Sequence, residues 1–192
     1  IVVLEHPPCI TMGRASRPEH VLAGPDELAA LGAQVLAVDG VRNLAKPEAA
    51  PALVAAGLER FGRIDAAAAF TGQIIGGRFT KSSIDDLHSL VAGCLEAPYH
   101  FLKAAVDPMV AAGSGQILII TSASAARPTP GAPLYSSARA AATHLVRNVA
   151  DEVARTGVQV NAVGTNFMDF PEFLRATGAV DPEVRKKVEA QV

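Results

Sequence analysis

Gly115-Gln-Ile-Leu-Ile-Ile-Thr-Ser122 is the stretch that decides the fold. Its apolar run, with glycine in front and hydroxyl residues behind, has the length and character of a strand buried on both faces. A long helical stretch, Ile84–Ala112, precedes it and another, Ser136–Thr156, follows. The same alternation runs outward in both directions. Strands are expected at Ile1–Leu4, Gln34–Val38, Ile64–Phe70, Gln116–Thr121 and Val158–Val163. Helices are expected at Asp26–Leu31, Pro47–Phe61, Ile84–Ala112, Ser136–Thr156 and Pro182–Val192. Gly32, Gly62, Gly113, Gly115 and Gly157 stand where helices must stop and turn into strands. Alternating strands and helices imply a parallel sheet. The fold class is therefore α/β, an open, doubly wound, Rossmann-like sheet read as a single domain over residues 1–192.

Composition narrows the function. The 192 residues suffice for one large core, and 49% hydrophobic content fits a sheet covered on both faces. A formal charge of -2 gives no basic field for nucleic acid. No apolar run reaches the ~20 residues of a membrane helix. Cys9 and Cys94 form no close-spaced motif, which suits reduced thiols in a cytoplasmic protein. Cys94 reads as a small buried hydrophobe. The five histidines show no metal-ligand spacing, so no metal is expected. No signal peptide is present, and the opening on Ile1 without a methionine implies residues missing at that end.

Ligands in open α/β sheets bind beyond the carboxyl ends of the strands. The loops to watch are His6–Ser16, Thr71–Phe79, Ser122–Leu134 and Gly164–Thr177. Ser122 closes a strand, Tyr135 comes thirteen residues later, and Arg139 follows it by four. Tyr135 and Arg139 therefore share one helix face. A cation one turn from a tyrosine favours phenolate, which suits Tyr135 to act as a base while Ser122 holds the substrate oxygen. A lone Tyr-x-x-x-Arg is usually an ordinary helix pair; the upstream serine at a strand end favours catalysis.

Four landmarks resemble the short-chain dehydrogenase/reductase superfamily: Phe61-Gly-Arg-Ile-Asp65, Gly115–Ser122, Tyr135-Ser-Ser-Ala-Arg139 and Val158-Gln-Val-Asn-Ala-Val163. Within it, Arg139 in place of the usual lysine resembles the halohydrin dehalogenases. That resemblance implies a cofactor-independent carbon–halide lyase, in which Ser122, Tyr135 and Arg139 convert a haloalcohol to an epoxide and halide. It also implies reverse ring opening by a small anion. Gly164-Thr-Asn-Phe-Met168 falls where that family binds halide, so Thr165, Asn166, Phe167 and Met168 are the expected anion nest. Phe70, Phe170 and Phe173 are the expected substrate walls. Three departures from the reductase pattern imply that no cofactor binds. Phe70-Thr-Gly72 replaces an Asn-Asn-Ala-Gly turn, and Cys94 stands where reductases place a catalytic Asn. The third is the first loop, Pro7–Gly13, which has one glycine where a pyrophosphate asks for several.

The segment Leu4-Glu-His-Pro-Pro-Cys-Ile-Thr-Met-Gly-Arg14, with Pro25–Gly32 behind it, resembles the start of lipoate-protein octanoyltransferases. Residues 1–40 are accordingly read as an atypical N-terminal βαβ segment and 41–192 as the dehydrogenase-like catalytic part. The chain also stops before the C-terminal strand usual in the dehalogenases. The superfamily resemblance implies a homodimer or homotetramer. Two alternatives stand beside the lyase. One is an NADP-dependent carbonyl reductase with an atypical arginine, and the other an inactive, truncated member acting as a subunit.

Overall fold

A computed structural model of the chain describes residues 9–12, 34–37, 44–167, 169, 171, 174–175 and 178–190. The chain divides into two compact units, Ile1–Asn43 and Leu44–Val192. In the first unit, β1 (Cys9–Met12) and β2 (Gln34–Ala37) pair in parallel, Cys9 opposite Gln34 and Met12 opposite Ala37. β2 lies where its apolar run predicts it. β1 does not: Cys9–Met12 belongs to the stretch Pro7–Gly13 read above as a loop. Local chemistry, two prolines followed by a short mixed run, argues for a loop, and pairing with a distant strand overrides it. Four of the seven residues of Pro7–Gly13 are therefore strand, so the glycine count over that stretch is no test of a phosphate-binding turn. The strand expected at Ile1–Leu4 and the helix expected at Asp26–Leu31 lie outside the described residues.

The second unit runs α1 (Ala49–Phe61), β3 (Ala66–Phe70), α2 (Ile84–Val91), α3 (Ala97–Ala112), β4 (Gly115–Ser122), α4 (Pro133–Val153), β5 (Val158–Thr165) and α5 (Pro182–Glu189). Its three strands are parallel in the order β3-β4-β5. Parallel strands joined by helical crossovers make this an α/β, Rossmann-like fold. β4 is the central strand. Its residues alternate between buried (Gly115, Ile117, Ile119, Thr121) and half-buried (Gln116, Leu118, Ile120, Ser122). Ile117 and Ile119 join one core with Val54 of α1, Phe101, Leu102 and Met109 of α3, Val146 and Val153 of α4, and Val158 and Val160 of β5.

Local chemistry sets the helix ends. Ser83 caps α2 reciprocally: its side chain accepts from the Asp86 N–H, and the Asp86 carboxylate accepts from the Ser83 N–H at 2.8 Å. The single helix expected over Ile84–Ala112 is interrupted by a π turn at Ala92–Glu96. Pro98 has no N–H to give the Cys94 carbonyl four residues back, which favours the wider turn there. α4 begins three residues before its expected start, because proline is tolerated in a first helical turn and Pro133 opens it. Tyr135 is thereby placed in that first turn. Among the described residues, no helix is long and apolar enough to cross a membrane.

Candidate active site

The parallel register brings strand ends to one edge. Phe70 of β3 pairs with Ile120, and Ser122 of β4 pairs with Thr165 of β5. Tyr135 and Arg139 open α4 against this edge, both buried, at 9% and 6% exposure. A guanidinium removed from water must find hydrogen-bond acceptors. Arg139 finds three. Its Nη2 donates to the Thr71 carbonyl at 2.6 Å, its Nη1 to the Ile120 carbonyl at 3.3 Å, and its Nε to the Tyr135 hydroxyl at 3.3 Å. Its Cζ lies 5.3 Å from the centre of the Tyr135 ring. Among the described residues, no carboxylate forms an ion pair with Arg139.

Tyr135 packs in a small apolar cluster of its own with Leu90, Cys94 and Ala138. Cys94 is fully buried, and its thiol donates to the Gln73 carbonyl at 3.6 Å, as expected of a small hydrophobe. Ser122 makes no direct hydrogen bond to Tyr135. Its Oγ accepts from the Ser124 N–H at 3.2 Å and from the Ser124 hydroxyl at 2.9 Å. The Ser124 carbonyl in turn accepts from the Ser136 hydroxyl at 2.6 Å, which ties the serine turn to the helix carrying Tyr135. Both Ser122 and Tyr135 thus accept hydrogen bonds from the protein. Each hydroxyl can donate as well as accept.

The other expected site residues divide. Thr165 donates from its hydroxyl to the Thr121 carbonyl at 3.4 Å, which bridges the ends of β5 and β4. Asn166 and Phe167 follow it and are exposed. Phe70, expected as a pocket wall, is 77% exposed. Met168, Phe170 and Phe173 lie outside the described residues.

Four residues at the site were not among those the sequence singled out for it: Thr71, Gly72, Ser124 and Ser136. The Thr71 hydroxyl is buried without a hydrogen-bond partner. Gly72 has a φ of +105°, a conformation other residues rarely adopt. Its glycine was a readable turn signal. The serines carry no local signature, because their partners are fixed by the fold.

The sequence pattern described as short chain dehydrogenase matches residues 8–179. An uncharacterized oxidoreductase of Staphylococcus aureus strain MRSA252 is 28% identical over 177 residues, 89% of this chain and 74% of that protein. Another, from Staphylococcus epidermidis strain RP62A, is 28% identical over 134 residues, 70% of this chain and 56% of that protein. Among solved structures, ElxO with NADP bound superposes with a TM-score of 0.70 at 21% identity. That match covers 90% of this chain and 68% of the other. A short-chain dehydrogenase from Streptomyces avermitilis gives 0.66 at 26% identity, over 86% of this chain and 58% of that one.

These findings correct the expected enzyme class. Relatives named as oxidoreductases point to an oxidoreductase and away from a carbon–halide lyase. Arginine in place of lysine, which together with the three departures suggested the lyase, is an exchange that keeps the cation. The octanoyltransferase resemblance of residues 1–39 gives way too, since the dehydrogenase match already begins at residue 8. With that match running through the strand that ends in Ser122 and the helix that carries Tyr135, the chain belongs to the short-chain dehydrogenase family.

Proposed function

We propose that the chain is the catalytic part of a nicotinamide-dependent oxidoreductase that interconverts a carbonyl compound and an alcohol, with NADP(H) as the cofactor to test first. The observation that carries this reading is the state of the two hydroxyls. Ser122 accepts from the Ser124 N–H and Tyr135 accepts from the Arg139 guanidinium, which leaves each hydroxyl able to donate to a substrate oxygen. A hydride supplied by the bound nicotinamide would reduce the carbonyl carbon. Tyr135 would protonate the oxygen and Ser122 would hold it by a hydrogen bond.

The fit of these residues to a nicotinamide is uneven. The buried, unpartnered Thr71 hydroxyl at the end of β3 supports it, since a bound hydroxyl or amide would satisfy that group. Arg139 supports it less, because each of its nitrogens already donates to a protein acceptor. Under this reading Thr71 would contact the cofactor. Thr165, Asn166, Phe167 and Met168 would border the substrate side with Phe70, Phe170 and Phe173. A homodimer or homotetramer is part of the same proposal and is checked by light scattering.

The test is fluorescence titration with NADPH and NADH, followed by oxidation of the bound cofactor with small ketones and aldehydes. Micromolar binding and turnover that disappears in Tyr135→Phe support the reading. No binding of either nucleotide overturns it.

A further inference from the structure

We infer that Arg139 acts as a positioning residue that fastens the ends of β3 and β4 to the Tyr135 hydroxyl, and that Gly72 is the residue that makes room for it. The catalytic half of this inference rests on the reductase reading. The structural half does not.

The guanidinium spans three acceptors on three elements: the Thr71 carbonyl just past β3, the Ile120 carbonyl within β4, and Tyr135 one turn back on α4. A planar fork of fixed donors can reach all three at once. An ammonium, with a single nitrogen, cannot. Three of its five N–H donors are committed to backbone and phenol, so holding the Tyr135 oxygen is a task Arg139 performs apart from any contact its two remaining N–H groups make. It fixes where the Tyr135 oxygen sits and which lone pair that oxygen uses, and so directs the tyrosine proton outward.

Gly72 faces this group closely. A Cβ on Gly72 would fall on the Arg139 Nη2, 2.8 Å from its Cζ and 3.0 Å from the Cys94 sulfur. Neither neighbour can give way easily. Arg139 is held at three points, and Cys94 is fully buried within the π turn. The left-handed φ of Gly72 turns the chain beside the guanidinium while its carbonyl neighbour, Thr71, accepts from it. Gly72 and Arg139 are therefore one packed unit, and a change at either should be felt at the other.

The first experiment is a double-mutant cycle on thermal unfolding without any nucleotide, using Gly72→Ala, Arg139→Ala and the double variant. Gly72→Ala should lower the Tm of the parent. It should lower that of Arg139→Ala by clearly less, since the overlap with the guanidinium is relieved and only the backbone strain and the Cys94 contact remain. If Arg139→Ala does not fold, Arg139→Met, which keeps the apolar stem, replaces it in the cycle. Additive shifts overturn the packed unit. The second experiment measures NADPH affinity and kcat for Arg139→Lys. A positioning role predicts a dissociation constant within about twofold of the parent and a kcat lower by roughly tenfold or more. Weaker NADPH binding with kcat retained would make Arg139 a cofactor ligand and overturn it. Failure of the parent to bind NADPH would refute the reductase reading and the catalytic half together, while a coupled cycle would still establish the Gly72–Arg139 unit.

Discussion

Tyr135 and Ser122 are matched in a way that residue types alone do not reveal: each accepts an N–H within the protein, from Arg139 and from Ser124, and under the proposed function each would donate toward the substrate oxygen. Tyr135→Phe should reduce turnover by about 10²–10⁴-fold, the usual contribution of a positioned acid or base. It should also cost stability, about 1–3 kcal/mol, because the buried Arg139 Nε–H loses its acceptor. Circular dichroism, Tm and initial rates together check this, and a Phe variant with parental turnover removes Tyr135 from the chemistry. Ser122→Ala should be milder, roughly a ten- to hundredfold loss in kcat/KM, as expected for one positioning hydrogen bond. Order and spacing made this pair legible, with Arg139, from residues 115 to 139. The partners of Arg139 were not legible, because the Thr71 carbonyl is 68 residues away and every residue has a carbonyl.

At the scale of elements, α2 has a pH-sensitive start. Its Ser83 N–H and hydroxyl both donate to the Asp86 carboxylate, which holds that carboxyl below the usual aspartate range. A depressed folded value means the cap stabilises fully above the ordinary aspartate range and loses its effect as pH falls through the lowered value. The Tm gap between the parent and Asp86→Ala should therefore narrow on acidification below about pH 4. A gap independent of pH would show that the cap does not act through charge. The segment after β5 is tied to α5 by Arg185, whose Nη1 and Nη2 donate to the two Asp169 oxygens at 3.2 and 2.6 Å and whose Nε donates to Glu189 at 2.8 Å. These two carboxylates, Asp169 first, raise the Arg185 pKa further above its normal range. The group is open to solvent and screened by salt, so Arg185→Ala should barely move the Tm. It should nonetheless speed limited proteolysis between β5 and α5, with the difference shrinking at high salt. Equal cleavage rates at low salt would dismiss the tether.

On the scale of the whole molecule, the core gathers on the central strand. Ile119 is fully buried in the core that three helices and the two neighbouring strands share, so Ile119→Ala should cost about 2–5 kcal/mol by chemical denaturation. A loss well under 1 kcal/mol would mean that the helices close over the cavity. The sequence by itself determined where most strands and helices of the second unit lie, because burial on a strand or a helix face imposes a period that a single chain displays. It also showed that Ser122 closes a strand and that Tyr135 and Arg139 share one helix face. Tertiary structure alone decided three further things. β5 runs two residues past its apolar run to Thr165, because pairing with β4 continues the ladder to Ser122. Cys9–Met12 is a strand because β2 supplies its hydrogen bonds. Arg139 is anchored to Thr71 and Ile120 because the fold brings two strand ends beneath one helix, and hydrogen bonds to a backbone carbonyl depend on where the chain passes, not on which residue it is.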